Sequence, residues 1–152
     1  MLAHMSRREP PEATLRAVAR RHKPRGWRVI EGRADDGPLP KGFESAKFQL
    51  IAYCDFINKI IKHPKINSRW GLYVFLHECG HAHLQTEACW NGAESVADLE
   101  VEAERYAIAA LRASGIPVPR DVLIEARRVI KDYVDKINDA PSDDALLFAG
   151  YR

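Results

Sequence analysis

Residues 77–81 read His77-Glu78-Cys79-Gly80-His81, two imidazoles and a carboxylate in the spacing H-E-x-x-H. On an α-helix the two histidines stand one turn apart on one face. Their ring nitrogens can then close on one Zn²⁺ at about 2.0–2.1 Å. Glu78 lies about 100° round such a helix from His77 and about 60° from His81. That offset keeps it off the metal but within reach of a water bound there, which is where a general base belongs in metal-assisted hydrolysis. With six His and eleven Glu in 152 residues, the spacing arises by chance in about 2% of such chains. The surrounding elements must therefore support it.

The motif needs a helix, and Asn67-Ser68 offers its N-cap. Leu72, Phe75, Leu76, Cys79 and Gly80 give the buried stripe, and the helix is expected to reach Thr86. A connecting loop is expected over 87–92, then a long helix over 93–114. Val96, Leu99, Ala103, Tyr106, Ala107 and Ala110 recur there at the 3.6-residue period. Gly115 stops it, with Pro117 and Pro119 beyond. A last helix is expected over 120–138, and Leu146, Leu147 and Phe148 should dock the tail. Upstream, Pro10-Pro11 opens a helix over 12–22 with Leu15, Val18 and Ala19 inward. A weak strand follows at 27–30, then a Gly- and Pro-rich loop at 31–42. Residues 48–54 and 59–62 read as two strands, antiparallel because their link is short; a single helix over 46–62 is the rival. The order implies an α+β fold, with a small antiparallel or mixed sheet packed on the motif helix and further helices after it. Residues 1–10 are expected to be disordered and 11–152 to form one domain.

A catalytic zinc takes three protein ligands and keeps one position open. The helix after the motif offers Glu94, Glu100, Glu102 and Glu104. With Leu99 at the centre of its apolar stripe, Glu94 points to solvent, Glu100 lies about 100° to one side and Glu102 about 60° to the other. Glu104 is one turn beyond Glu100. Helix phase leaves Glu100 and Glu102 as rivals.

Two stretches make the chain resemble a known family: His77-Glu78-Cys79-Gly80-His81-Ala82 and Glu100-Val101-Glu102-Ala103-Glu104-Arg105-Tyr106-Ala107. Together they resemble the gluzincin metallopeptidases, most closely the small ImmA/IrrE-like group with its E-x-E-A-(N/D)-x-F-A helix. The resemblance implies a minimal zincin-like domain with zinc held by His77, His81 and Glu100. It implies Glu78 as the catalytic base. It places Glu104, where the group has Asn or Asp, behind a ligand histidine, a role that fixes the ring through its second nitrogen. Tyr106 stands for the usual Phe. The resemblance spans about residues 43–112 and implies a strand beside the cleft able to pair with a peptide. It further implies a protein or peptide substrate, in this group a transcriptional repressor.

The other candidates have plainer explanations. His83 lies about 200° round the helix from His81 and cannot share its metal. His63 reads as a histidine at a strand end, with a distant oxyanion donor as the alternative. Tyr73 and Tyr106 serve equally as oxyanion donors or core residues. Trp70 and Trp90 bracket the motif helix. Cys54, Cys79 and Cys89 show no C-x-x-C or H-x-x-C spacing, so reduced thiols and a cytoplasmic setting are expected. A net charge of +2 gives no reason to expect nucleic-acid binding, and no apolar run approaches a membrane span. Eight of the basic residues fall in 7–28, against only Glu9 and Glu12. A solvated face explains them. The alternative is a non-catalytic zinc module that contacts protein or nucleic acid through this basic region.

Overall fold

The computed structural model describes residues 8–32, 51–137 and 139–151. Its elements run α1 (Glu12–His22), β1 (Arg28–Glu31), β2 (Tyr53–Asp55), β3 (Ile60–His63), α2 (Arg69–Leu84), a π-helical turn (Cys89–Ala93), α3 (Val96–Ala113), α4 (Arg120–Lys136) and α5 (Asp143–Ala149). The class is α+β, with a three-stranded mixed sheet of order β1-β3-β2. β3 is central, parallel to β1 and antiparallel to β2, and its Ile61 faces Val29 on one side and Cys54 on the other.

Residues 53–62 form a hairpin rather than the rival helix. Asp55 closes its turn, with Oδ1 accepting from the backbone N–H of Ile57 and Asn58, each at 3.0 Å. β-Branched Ile60 and Ile61 suit the strand that follows. Of the strand expected over 48–54, the described residues show β2 beginning at Tyr53 and running to Asp55, with residues 51 and 52 outside it. Residues 33–50 lie outside the described residues, and with them most of the expected loop and the start of the expected strand. Residues 1–7 of the expected disordered terminus lie outside as well. Glu9 is tied to the start of α2, accepting from Arg69 N at 2.8 Å and Nε at 3.2 Å.

α2 opens at Ser68, whose hydroxyl accepts from Gly71 N at 3.1 Å. Leu72, Phe75, Leu76 and Cys79 bury one face with Leu15, Val18 and Ala19 of α1 and Ile61 of the sheet. Each large side chain so buried contributes about 1.5–3 kcal/mol. Another face meets α3 at Gly80, where an added Cβ would lie 2.9 Å from Ala103 Cα and 3.0 Å from Tyr106 Cβ. The two helices therefore touch nearly backbone to backbone. That closeness brings carboxylates of α3 to imidazoles of α2.

Four boundaries differ from expectation. α2 ends at Leu84 because Gln85 leaves the helical backbone, at φ −125° and ψ 165°. The expected loop at 87–92 is largely helical, a π turn broken at Asn91 and at Gly92 with φ +89°. α3 begins at Val96 rather than 93. A remote residue caps it, Asp139 accepting from Val96 N at 2.8 Å and from Ser95 Oγ at 3.2 Å. α4 stops at Lys136, two residues early. The tail docks as α5 through Ala145 and Ala149, which pack with Ala97, Val101 and Ile130. Leu147, expected to help, is 69% exposed. Among the described residues no helix is long and apolar enough to cross a membrane.

Candidate metal centre

His77 and His81 project from one face of α2, as their spacing requires, with their Nε2 atoms 3.0 Å apart. α3 delivers Glu100 to the same point. Its Oε2 is 3.1 Å from His77 Nε2 and its Oε1 3.7 Å from His81 Nε2. Glu102 is exposed and turned aside, accepting from Gln85 Nε2 at 3.1 Å. Glu94 is exposed too.

Zinc bonds of about 2.0–2.1 Å in a tetrahedron set ligand atoms about 3.4 Å apart. The separations of 3.0, 3.1 and 3.7 Å lie on both sides of that value. The donor chemistry fits as well. Gln85 Oε1 lies 2.8 Å from His81 Nδ1 and can only accept, so Nδ1 carries the proton and Nε2 a lone pair. A lone pair, a second imidazole and a carboxylate thus converge on one point, which suits a cation.

The charges around this point are strongly coupled. Burial pushes His81 down to about 4, and His77 adds to the effect. Burial also opposes charge on His77, but the hydrogen-bonded Glu100 outweighs it and holds His77 above its usual value. Burial alone would raise Glu100; His81 and His77 bring it below the usual carboxylate value. Glu78 is buried, at 8% exposure. Burial pushes it up to about 7, the nearby charge of Glu100 adding and that of His77 opposing. A carboxyl group balanced near neutrality can both take and return a proton.

Glu104 sits behind His77, its Oε1 3.2 Å from Nδ1. The pair is within ionic reach but not aligned as a hydrogen bond, and His77 Nδ1 and Glu104 Oε2 have no hydrogen-bond partner. Burial pushes Glu104 up to about 8.

The cluster lines a cavity of about 430 Å³, together with Glu78 and with Tyr53, Phe56, Ile57, Trp90 and Tyr133. No Lys or Arg is among the described residues lining it. Tyr133 of α4 is a lining residue that the sequence did not single out. The charge of Glu100, then burial, pushes its phenol up to about 12, so it stays protonated near neutral pH. Gln85 was missed although it lies four residues after His81, on the same helical face. Tyr133 had no local signal, because α4 reaches the cavity only through tertiary packing.

Of the remaining candidates Cys54 and Trp90 line this cavity and the others lie elsewhere. His83 donates from Nε2 to His22 O at 2.8 Å and stacks on Tyr106. His63 is buried at the end of β3, donating from Nδ1 to Pro64 O at 2.7 Å and packing edge-on to Phe75. Tyr73 is a core residue, and the Tyr106 hydroxyl lies 2.8 Å from His22 Nδ1; neither lines the cavity. The three cysteines are free. Burial pushes the thiols of Cys54 and Cys79 up, so both stay protonated and inert. Trp70 is 42% exposed, whereas Trp90 packs edge-on to His81 with ring centroids 5.3 Å apart.

No family model, curated protein or solved structure matches the chain. The likeness to ImmA/IrrE-like peptidases rests on residues 77–82 and 100–107 alone.

Proposed function

We propose that the chain is a zinc-dependent endopeptidase with a minimal zincin-like fold. His77, His81 and Glu100 are its metal ligands and Glu78 its general base. One observation carries this reading: three donor atoms converge at zinc-like separations on the wall of a cavity, with a carboxyl group near neutrality beside them.

When bound there, zinc supplies Lewis-acid polarisation of a substrate carbonyl and acidifies a coordinated water. Glu78 takes the proton of the attacking water and returns it to the leaving amine. Glu104 orients His77 through its second nitrogen. Tyr133, which keeps its proton, is the candidate donor to the developing oxyanion. Residues 52–57 form one wall of the cavity and suit a peptide laid along them. The family resemblance adds a regulatory, repressor-like protein as substrate, met in the cytoplasm.

A purely structural zinc site closes with four protein ligands. Among the described residues three donors form this cluster, and they share their cavity with Glu78, for which a structural site has no use.

Metal analysis and a peptide-library cleavage assay test the reading together. The wild type should hold zinc and His81→Ala should not. Glu78→Gln should keep zinc and lose cleavage by about 10²–10⁴-fold. A Glu78→Gln variant that cleaves at the wild-type rate would overturn the mechanism.

A further inference from the structure

We propose that Gln85 is the positioning residue for His81, setting its ring orientation and tautomer for metal binding, and that Trp90 on the cavity wall holds Gln85 in turn. The metal-binding part of this proposal rests on the zinc reading above; the tautomer part does not.

Gln85 is 6% exposed and is the first residue beyond α2. Its amide is used on both sides. Oε1 accepts from His81 Nδ1–H at 2.8 Å and from Trp90 Nε1–H at 3.1 Å. Nε2 donates to Leu99 O at 2.7 Å and to Glu102 Oε2 at 3.1 Å. The partners fix which way the amide points. An indole N–H can only donate and a backbone carbonyl can only accept, so a flipped amide would oppose donor to donor and acceptor to acceptor. With the amide fixed, His81 must carry its proton on Nδ1 and offer its Nε2 lone pair to the cluster.

Leu99 directly precedes Glu100. A single side chain therefore ties the α2 ligand His81 to the turn of α3 that carries the third ligand. Trp90 extends the tie to the substrate side, since it lines the cavity and packs edge-on to His81. Partners of this kind commonly change metal affinity by about 10–100-fold when removed.

Two variants separate positioning from mere support. Gln85→Met keeps length and volume but removes both donor and acceptor. Gln85→Glu keeps the acceptor for His81 and Trp90, loses the donor to Leu99 O, and sets a carboxylate beside Glu102. Zinc affinity is measured by chelator competition, and the His81 tautomer by ¹⁵N NMR of the metal-free protein. Gln85→Met should bind zinc about 10–100-fold more weakly and lose the fixed tautomer. Gln85→Glu should keep the Nδ1–H tautomer and bind zinc at least as tightly as Gln85→Met. A residue that only props the helices apart predicts the reverse order, with Gln85→Glu the weaker. That order, or unchanged affinity in Gln85→Met, overturns the proposal. The wild-type spectrum is a test that does not depend on any variant folding: His81 protonated at Nε2 instead of Nδ1 also overturns it. A wild type that binds no zinc but shows the Nδ1–H form would sink the metal reading and leave the tautomer assignment standing.

Discussion

His77 meets a carboxyl group at each ring nitrogen. Nε2 faces Glu100 and His81, and Nδ1 faces Glu104 at 3.2 Å. A carboxylate behind a ligand histidine makes the ring a better donor and fixes its rotation. Glu104→Ala should therefore weaken zinc binding by about 10–100-fold while His77, His81 and Glu100 remain in place. Isothermal titration with zinc measures this, and wild-type affinity in Glu104→Ala would reduce Glu104 to a packing residue. The residues show what a sequence can and cannot resolve here. Spacing alone places His77, His81 and Glu78 relative to one another, because a helix has fixed geometry. Glu100 and Glu102 flank the apolar stripe and differ only in which flank meets α2. Helix phase cannot know that, and the family resemblance was needed to choose. Gln85 escaped because its position one turn beyond His81 is shared by many plain helix residues, and the partners that fix its amide, Trp90 and the Leu99 carbonyl, come together only in the fold.

At the scale of elements the site depends on how closely α2 and α3 approach. Gly80 permits that approach, and an added methyl would press on Ala103 and Tyr106. Backbone lies on the far side of the contact, so the helices must separate to make room. Gly80→Ala should cost about 1–3 kcal/mol of stability in the metal-free protein, read by urea denaturation. It should also weaken zinc binding, since Glu100 moves away with α3. Loss of stability at full zinc affinity would show that the cluster tolerates helix separation. The stripes of α1, α2 and α3 were legible because they follow the 3.6-residue period. The start of α3 was not. Its cap is Asp139, 43 residues from Val96, and no local rule finds such a partner. The sheet was half legible: β3 follows from its β-branched residues, while the parallel pairing of β1 with β3 is set by tertiary arrangement.

For the whole molecule the buried ionisable groups make the stability of the metal-free protein depend on pH, and zinc held as proposed would add a contribution of the opposite sign. In the metal-free protein, burial raises Glu78 to about 7 and Glu104 to about 8 from an ordinary 4.5. His77 is held above 6.5, burial notwithstanding, by Glu100. A group whose folded pKa is raised stabilises below its unfolded value and loses that contribution as pH rises through the folded one. All three therefore lose stability as pH rises toward 8. His81, lowered to about 4 by burial, and Glu100, lowered despite burial by His81 and His77, run the other way. Their windows lie below 6.5 and below 4.5, so nothing from this cluster opposes the loss between pH 6.5 and 8. Zinc held as proposed would add a contribution of the opposite sign, because it needs deprotonated ligands and displaces their protons. The gain from zinc, about 4 kcal/mol at a thousand times its Kd, should grow across the same interval as proton competition fades. Thermal melts with and without zinc should therefore diverge as pH rises from 6.5 to 8. Glu104→Gln, which removes a carboxyl group that must otherwise ionise while buried, should flatten the metal-free branch. A metal-free melting temperature that rises across that interval in the wild type would mean that these carboxyl groups ionise in the fold at their ordinary pH, and the basis for Glu78 as a near-neutral base would go with it.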